Sequence, residues 1–243
     1  MQTDRPFVMS IAGFDPSGGA GVLADIKTFE RLSVQGLSVL TAITLQTEDS
    51  FQKLQWLPIE EVVEAVETLL NRYTVRCVKI GIVPSAVFLS EIVKTIRSKD
   101  ENLPIVWDTV LKSSSGRTFF SIENPSLLSE TLSEINLITP NQPEFEFLSE
   151  MGVLNNLQTA VYQKGGHRTE KGEDILHIDR QKIRFLPSQT DCPPKHGSGC
   201  VLSSAITSYL AKGYDLENAC RYAKIFIEKF LNSHPSLLGN YNF

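Results

Sequence analysis

The sequence has no long hydrophobic run and no excess of basic charge. None of its apolar stretches approaches the roughly 18 consecutive residues that a membrane-spanning helix needs. Its formal net charge of −5 at pH 7 is unfavourable for binding nucleic acid, because a phosphate backbone attracts a basic surface. The composition therefore argues against membrane and nucleic-acid-binding proteins, but it leaves room for a local pocket that binds an anion.

Cysteine is also sparse. The four cysteines are Cys77, Cys192, Cys200 and Cys220. None is closely spaced with another, and a chain of 243 residues can bury a substantial core without disulfides, so we expect reduced thiols. Residues 1–7 include Asp4 and Arg5 and lack the apolar core of a signal peptide. We therefore expect a cytoplasmic protein.

No proline-rich linker, low-complexity segment or internal repeat divides the sequence, so we interpret residues 1–243 as one domain. Short apolar runs alternate with stretches of helical periodicity along the chain. This alternation predicts an α/β fold with a mostly parallel sheet and helices on both faces. Ligands bind such sheets beyond the carboxyl ends of the strands. The residues that we expect at this edge are Gly13, Asp15, Gln46, Gly81, Asp108, Asn141 and Lys164.

The strongest local feature is the segment His-Gly-Ser-Gly-Cys at 196–200, which precedes apolar residues at helical spacing. A glycine-rich helix start is an anion site, because its backbone N–H groups are unpaired and the helix dipole is positive there. Cys200 would lie in the first helical turn, where a thiol pKa is commonly lowered. Its thiolate could then take a proton from a substrate hydroxyl during phosphoryl transfer. The alternative is a glycine-rich helix cap with a small buried cysteine.

Cys192, His196 and Cys200 have a spacing that could also indicate a metal site. A structural zinc site usually needs four ligands, and the sequence offers no obvious fourth. The sequence therefore disfavours zinc.

A second glycine-rich segment spans residues 12–21 and joins a predicted strand to a predicted helix. It lacks the Lys-Ser/Thr pair of a P-loop and the spacing of a dinucleotide-binding fingerprint. Asp25 follows Gly21 by one helical turn. A carboxylate there often only stabilises the helix dipole, so this loop alone is weak evidence of function.

A third feature, at 139–144, follows another apolar strand. Asn141 and Glu144 lie one turn apart and could together hold a hydrated Mg²⁺, with the Asp108 carboxylate near the same ion. The alternative is a helix capped by Asn141 with a glutamate in its first turn. Lys164, before two glycines, could reach a phosphate or be solvated.

Taken in order, these segments resemble the hydroxymethylpyrimidine/phosphomethylpyrimidine kinase family of the ribokinase superfamily across nearly the whole chain. The matching segments are 11–21, 24–29, 79–81, 139–141 with Glu144, 164–167, 196–200 with 202–205, and 237–239. No single segment is specific, but the combination is.

The resemblance implies a ribokinase-like three-layer α/β sandwich. It also implies phosphorylation by MgATP of 4-amino-5-hydroxymethyl-2-methylpyrimidine (hydroxymethylpyrimidine) and then of its monophosphate, in thiamine biosynthesis. A homodimer is common among such relatives. The resemblance implies an anion hole at Gly197, Ser198 and Gly199, with Cys200 as the base. It implies ATP contacts from Lys164, Asn141, Gly197 and Gly199, and a water-mediated Mg²⁺ site at Asn141, Glu144 and Asp108. It also implies that Gly13, Asp25 and Gln46 contact the pyrimidine.

The chain departs from the family pattern at several places. Thr109 stands where proline is usual, and Ser198 and Val201 stand where threonine is usual. Lys195 adds positive charge beside the phosphate site. The stretch 146–159 is short, so we expect one outer helix to be missing.

Two other functions stay open. The first is a pyridoxal kinase that shares the Gly-x-Gly-Cys segment, although Gln46 favours the aminopyrimidine because related pyridoxal kinases tend to have an apolar residue there. The second is a non-catalytic nucleotide-binding homologue. Retention of Cys200, Asn141, Glu144 and Asp108 argues against it.

Overall fold

Strands and helices alternate through the computed structural model, which describes residues 5–112, 116, 118–155, 158–166, 172–189 and 192–243. The strands of the described residues are β1 Phe7–Phe14, β2 Gln35–Gln46, β3 Phe51–Trp56, β4 Val75–Ile80, β5 Ile105–Trp107, β6 Leu137–Ile138, β7 Ala160–Gln163, β8 Asp174–Ile178 and β9 Gln181–Phe185. Their helices are α1 Gly21–Arg31, α2 Ile59–Arg72, α3 Ala86–Lys99, α4 Pro125–Ser133, α5 Gln142–Glu150, α6 Ser198–Ala211 and α7 Leu216–Leu231.

These described strands form one sheet in the order β3-β2-β1-β4-β5-β6-β7-β8-β9. From β2 to β7 every neighbouring pair is parallel, whereas β3, β8 and β9 pair antiparallel at the two ends. The chain moves outward from β1 to β2 and then returns to β4 on the other side of β1. This reversal creates a crevice at the carboxyl ends of β1 and β4, where open α/β sheets bind ligands.

Each inner strand contributes side chains to two separate cores, because successive residues of a strand point to opposite faces. Val8, Cys77 and Val106 pack with α1, α6 and α7, whereas Met9 and Val78 pack with the helices of the opposite face. The structure therefore confirms the predicted three-layer arrangement. Among the described residues, no helix is both long enough and apolar enough to cross a membrane.

Two elements have no counterpart in the sequence prediction. β3 is an edge strand with exposed polar residues, and only its antiparallel pairing with β2 makes it a strand. α4 begins at Pro125 after Asn124, whose side chain accepts a hydrogen bond from Leu127 N–H. After α5, residues 151–155 form turns, which agrees with the short outer segment expected there.

Candidate active site

The residues predicted to meet at one edge of the sheet do lie there. Gly13 is near the end of β1, Gln46 ends β2, Gly81 follows β4, and Asp108 follows β5. Asn141 lies beyond β6 and forms an isolated parallel bridge with Lys164, which directly follows β7. Because these strands are parallel, all their carboxyl ends open onto the same side of the sheet.

The predicted anion site is the start of α6, within residues 195–200, which we call the helix-start loop. Gly197 is the N-cap and no side chain caps the helix. The Ser198 N–H donates to the Lys195 carbonyl at 3.4 Å, whereas the N–H groups of Gly199 and Cys200 have no backbone partner among the described residues. Gly197 has a φ of 71°, in the left-handed region that favours glycine. The segment therefore begins a helix as predicted, with two first-turn amides unpaired among the described residues.

Lys164 lies over this helix start instead of extending into solvent. Its Nζ is 2.8 Å from Asp108 Oδ1, and a Cβ added to Gly199 would lie 3.3 Å from the same Nζ. Burial alone would lower the pKa of Lys164, but the carboxylates of Asp108 and Glu144 raise it. A phosphate at the helix start would therefore meet a charged ammonium group.

Asp108 is fully buried and accepts three hydrogen bonds. Lys164 Nζ and the Thr139 hydroxyl bind Oδ1, and the Ser203 hydroxyl binds Oδ2 at 3.1 Å. Burial raises the pKa of Asp108, but Lys164 and the nearby Lys79 outweigh that effect and lower it. The group is therefore a carboxylate at neutral pH.

Asn141 and Glu144 form the capping box that the sequence left as an alternative. The Asn141 side chain accepts from Glu144 N–H at 2.9 Å, and Glu144 Oε2 accepts from Asn141 N–H at 2.8 Å. Burial and the nearby Asp108 carboxylate raise the pKa of Glu144. The attraction of Lys164 and hydrogen bonds from two backbone N–H groups lower this pKa, but they offset the rise only in part. A divalent cation would offset that deficit, so this carboxylate and Asp108 fit a Mg²⁺ site. No group of three or more His, Cys, Asp or Glu side chains is arranged for a metal in the described parts of the chain, so water and phosphate oxygens would supply the other ligands.

Cys200 lies in the first turn of α6 as predicted, but the expectation of a lowered thiol pKa is wrong. Although the residue keeps some solvent exposure, the protein packed around its sulfur raises the thiol pKa to about 12. Lys79 and a hydrogen bond from Gly21 N–H lower this pKa, whereas the carboxylates of Asp108 and Asp25 raise it. The helix start therefore does not by itself produce a thiolate.

Asp25 lies beneath the site rather than at its surface. Its carboxylate is fully buried and accepts from Lys79 Nζ at 2.6 Å, from Ser10 at 2.5 Å and from Ser204 at 2.7 Å. Ser204 is one helical turn beyond Cys200, so Asp25 and Lys79 support the helix that carries the thiol. In this structure Asp25 thus contacts protein groups and no open surface.

Gln46 is half-buried at the point where the β2–β3 pairing changes register. Its side-chain amide makes no hydrogen bond to the described residues, so both its donor and its acceptor are available for a ligand. Gly13 is near the end of the neighbouring strand β1, where its main chain borders the same crevice.

The sequence did not indicate that Asp15 and His196 contact each other. His196 Nε2 lies 2.9 Å from Asp15 Oδ2, which joins the helix-start loop to residues 13–21, the glycine loop. Cys192 instead lies near Asn232 Nδ2, at 3.4 Å, so Cys192 and His196 have separate protein partners.

Three departures from the family pattern have clear positions. The Thr109 hydroxyl is buried without a hydrogen-bond partner among the described residues, and Val201, near the start of α6, is fully buried. Lys195 is only 7% exposed, with Nζ 3.5 Å from the Pro194 carbonyl. His167, the last residue of the segment 164–167, lies outside the described residues.

A helix start that faces a buried lysine–aspartate pair, at the crevice of a three-layer α/β sheet, defines a small-molecule kinase of the ribokinase-like fold. A family model for phosphomethylpyrimidine kinase matches residues 15–242. The chain belongs to the phosphomethylpyrimidine kinase family.

Named relatives agree with this family. A hydroxymethylpyrimidine/phosphomethylpyrimidine kinase of Aquifex aeolicus is 33% identical, over 96% of this chain and 97% of that protein. A thiamine biosynthesis multifunctional protein of Corynebacterium efficiens is 27% identical over 96% of this chain, which corresponds to 34% of that longer protein.

Solved structures extend the likeness to a second kind of kinase. A phosphomethylpyrimidine kinase from Clostridium difficile has a TM-score of 0.74 and 31% identity, covering 93% of this chain and 99% of that one. The Bacillus subtilis pyridoxal kinase, solved as an ADP complex, has a TM-score of 0.78 and 26% identity, covering 94% and 92%. The backbone therefore resembles both kinds of enzyme, and sequence identity is higher for the phosphomethylpyrimidine kinase.

Proposed function

We propose that this enzyme transfers the γ-phosphoryl group of ATP to hydroxymethylpyrimidine and then to its monophosphate, as a step of thiamine biosynthesis. The observation that carries this proposal is the meeting of Lys164, Asp108 and the uncapped start of α6 beside Cys200. Family membership and the ADP complex of a structural neighbour support ATP as the donor.

The phosphates of ATP would lie between Lys164 and the N–H groups of Gly197 to Cys200, with Asn141 beside them. Lys164 would bind phosphate oxygens, and the amides would stabilise the charge that develops during in-line transfer, a contribution of roughly 10²–10³ in rate for each donor. Mg²⁺, when bound near Asp108 and Glu144, would neutralise phosphate charge. The pyrimidine would lie against Gly13, with Gln46 offering one donor and one acceptor to its amino group and ring nitrogen.

In this proposal Cys200 would receive the proton of the hydroxymethyl group. A thiol with a pKa of about 12 is protonated at neutral pH, so this role requires that its pKa falls when the substrates bind. Lys79 and Gly21 N–H already act in that direction. Asp25 would act through Lys79 and through Ser204 rather than by touching the pyrimidine.

Pyridoxal kinase activity is the second candidate, because pyridoxal kinases have TM-scores as high as 0.79 to this chain. Pyridoxal also presents a hydroxymethyl group on a nitrogen-containing aromatic ring. Gln46 favours the aminopyrimidine, since its amide can pair with a ring that carries both an amino group and nitrogen acceptors. A non-catalytic role would require ATP binding without turnover.

A Gln46→Leu variant tests the substrate assignment. We expect its kcat/KM for hydroxymethylpyrimidine to fall by about 10- to 100-fold, because the ring loses two hydrogen bonds, while its kcat/KM for pyridoxal stays within about threefold of wild type. Equal losses for both substrates would contradict the role of Gln46. Homodimer formation and a cytoplasmic location stay predictions of the sequence.

A further inference from the structure

The glycine loop is organised around the buried carboxylate of Asp15. This side chain is 1% exposed and accepts from Ser17 N–H and from the Ser17 hydroxyl at 2.9 and 2.8 Å on Oδ1. Its other oxygen accepts from Ala20 N–H at 2.8 Å, directly before α1. Asp15 therefore fixes the path of the loop between Gly13 and the helix.

The same carboxylate also holds the helix-start loop. His196 Nε2 lies 2.9 Å from Asp15 Oδ2, across 181 positions of sequence, and the His196 side chain is only 13% exposed. The two loops touch elsewhere too, since a Cβ on Gly197 would lie 2.0 Å from the Gly19 carbonyl oxygen. A separate bond from His196 N–H to the Leu237 carbonyl, at 2.9 Å, fixes the histidine backbone from the other side.

These contacts connect two parts of the reaction. The glycine loop continues from Gly13, where the pyrimidine would lie, and the helix-start loop carries the amides that would bind the transferred phosphoryl group. We propose that His196 and Asp15 are a positioning pair that holds the two loops in the alignment needed for transfer. The proposal rests on the proposed kinase function and concerns how its two substrates are aligned.

Loss of the pair would affect turnover more than nucleotide binding. Lys164, which is paired with Asp108, would bind the phosphates without contact to Asp15, so ATP would still bind when the loops separate. The acceptor hydroxyl would then be displaced relative to the anion site, and a misplacement of about 1 Å can cost about 100-fold in rate. If the pair served only folding, its loss would lower stability without reducing kcat more than it changes the KM for ATP.

The test compares four variants with wild type: His196→Leu, His196→Gln, Asp15→Asn and the double variant H196L/D15N. We expect H196L to lower kcat by about 100-fold while the KM for ATP changes less than about threefold. Glutamine can place an amide donor near the position of Nε2, so the kcat of H196Q should be at least about tenfold higher than that of H196L. The double variant should be no worse than the more damaged single variant, because both changes remove one shared interaction.

An exposed histidine supplies the matched control. His234 contacts only the nearby Ser236 through its imidazole among the described residues, so H234L should keep the wild-type kcat. A kcat loss below about threefold in H196L, no recovery in H196Q, or additive losses in the double variant would each overturn the proposal.

Hydrogen–deuterium exchange separates this proposal from the proposed function. H196L should accelerate amide exchange at residues 17–20, which Asp15 holds, relative to wild type and H234L. If wild type phosphorylates neither hydroxymethylpyrimidine nor pyridoxal, the proposed function fails, and the role of the pair in transfer fails with it. If wild type is active but exchange at residues 17–20 is unchanged in H196L, the positioning pair is wrong while the kinase function stands.

Discussion

Removing the ammonium group of Lys79 is the sharpest test of how the site is supported. Lys79 and Asp25 are both fully buried, and their charged atoms are 2.6 Å apart. A Lys79→Met substitution would leave the Asp25 carboxylate in the interior with the hydroxyls of Ser10 and Ser204 as its remaining partners among the described residues. Breaking a buried ion pair on one side costs about 3–5 kcal/mol, so we expect the free energy of unfolding to fall by about that amount.

Urea unfolding followed by circular dichroism at pH 7 measures this change. Burial alone would lower the pKa of Lys79, but Asp25 raises it above the ordinary lysine value of 10.5. The stability that this raised pKa contributes is present at neutral pH and is lost as pH rises through the folded pKa. The neutral double variant D25N/K79M should recover most of the lost stability, because no buried charge remains unpaired.

An exposed ion pair serves as the control for this prediction. Lys94 and Glu91 are 3.0 Å apart with side chains 66% and 48% exposed, so Lys94→Met should change stability by less than about 1 kcal/mol. A loss of under 1 kcal/mol in K79M, or a double variant as unstable as K79M, would refute the reasoning.

Three further predictions concern the start of α6. Cys200→Ala should lower kcat by about 100-fold or more, while its Kd for ADP, measured by calorimetry, stays within about twofold of the wild-type value. Wild-type turnover by this variant would mean that Cys200 is not the base. Gly197→Ala should lower both kcat and the melting temperature, because the added Cβ would lie 2.0 Å from the Gly19 carbonyl oxygen. Gly213→Ala is the control for backbone strain alone, since Gly213 has a φ of 86° and nothing lies within 4 Å of its Cβ position. Equal effects of the two substitutions would argue against the loop contact. Iodoacetamide at pH 8 should label Cys192 well before Cys200, because a thiol pKa of about 12 makes alkylation of Cys200 about a thousandfold slower than that of an ordinary thiol. Mass spectrometry measures the order of labelling, and earlier labelling of Cys200 would contradict the raised pKa.

The sheet and the edge that carries the site could be predicted from sequence because both follow from local patterns. Apolar runs and helical periodicity identify the buried strands and most of the helices, and parallel strands bring their ends to one side. β3 was missed because its Gln and Lys residues give it no strand pattern apart from its partner β2. The capping box of Asn141 and Glu144 was foreseen as an alternative because it depends only on residues three apart.

Contacts between distant segments could not be predicted in this way. Asp25 meets Lys79 across 54 positions, and nothing near Asp25 in the sequence indicates that a buried lysine will accept its charge. The Asp15–His196 contact has the same character. The thiol pKa of Cys200 depends on how tightly the protein packs around the sulfur, which no local motif encodes.

The central claim is that this chain phosphorylates an aminopyrimidine alcohol. The most direct test is ADP release by the purified protein with MgATP, measured in parallel with hydroxymethylpyrimidine, its monophosphate and pyridoxal. Turnover of both pyrimidines, with pyridoxal much slower, is the result that we predict. Preference for pyridoxal would contradict the substrate assignment, and absence of turnover with ADP or ATP still bound would contradict the kinase function itself.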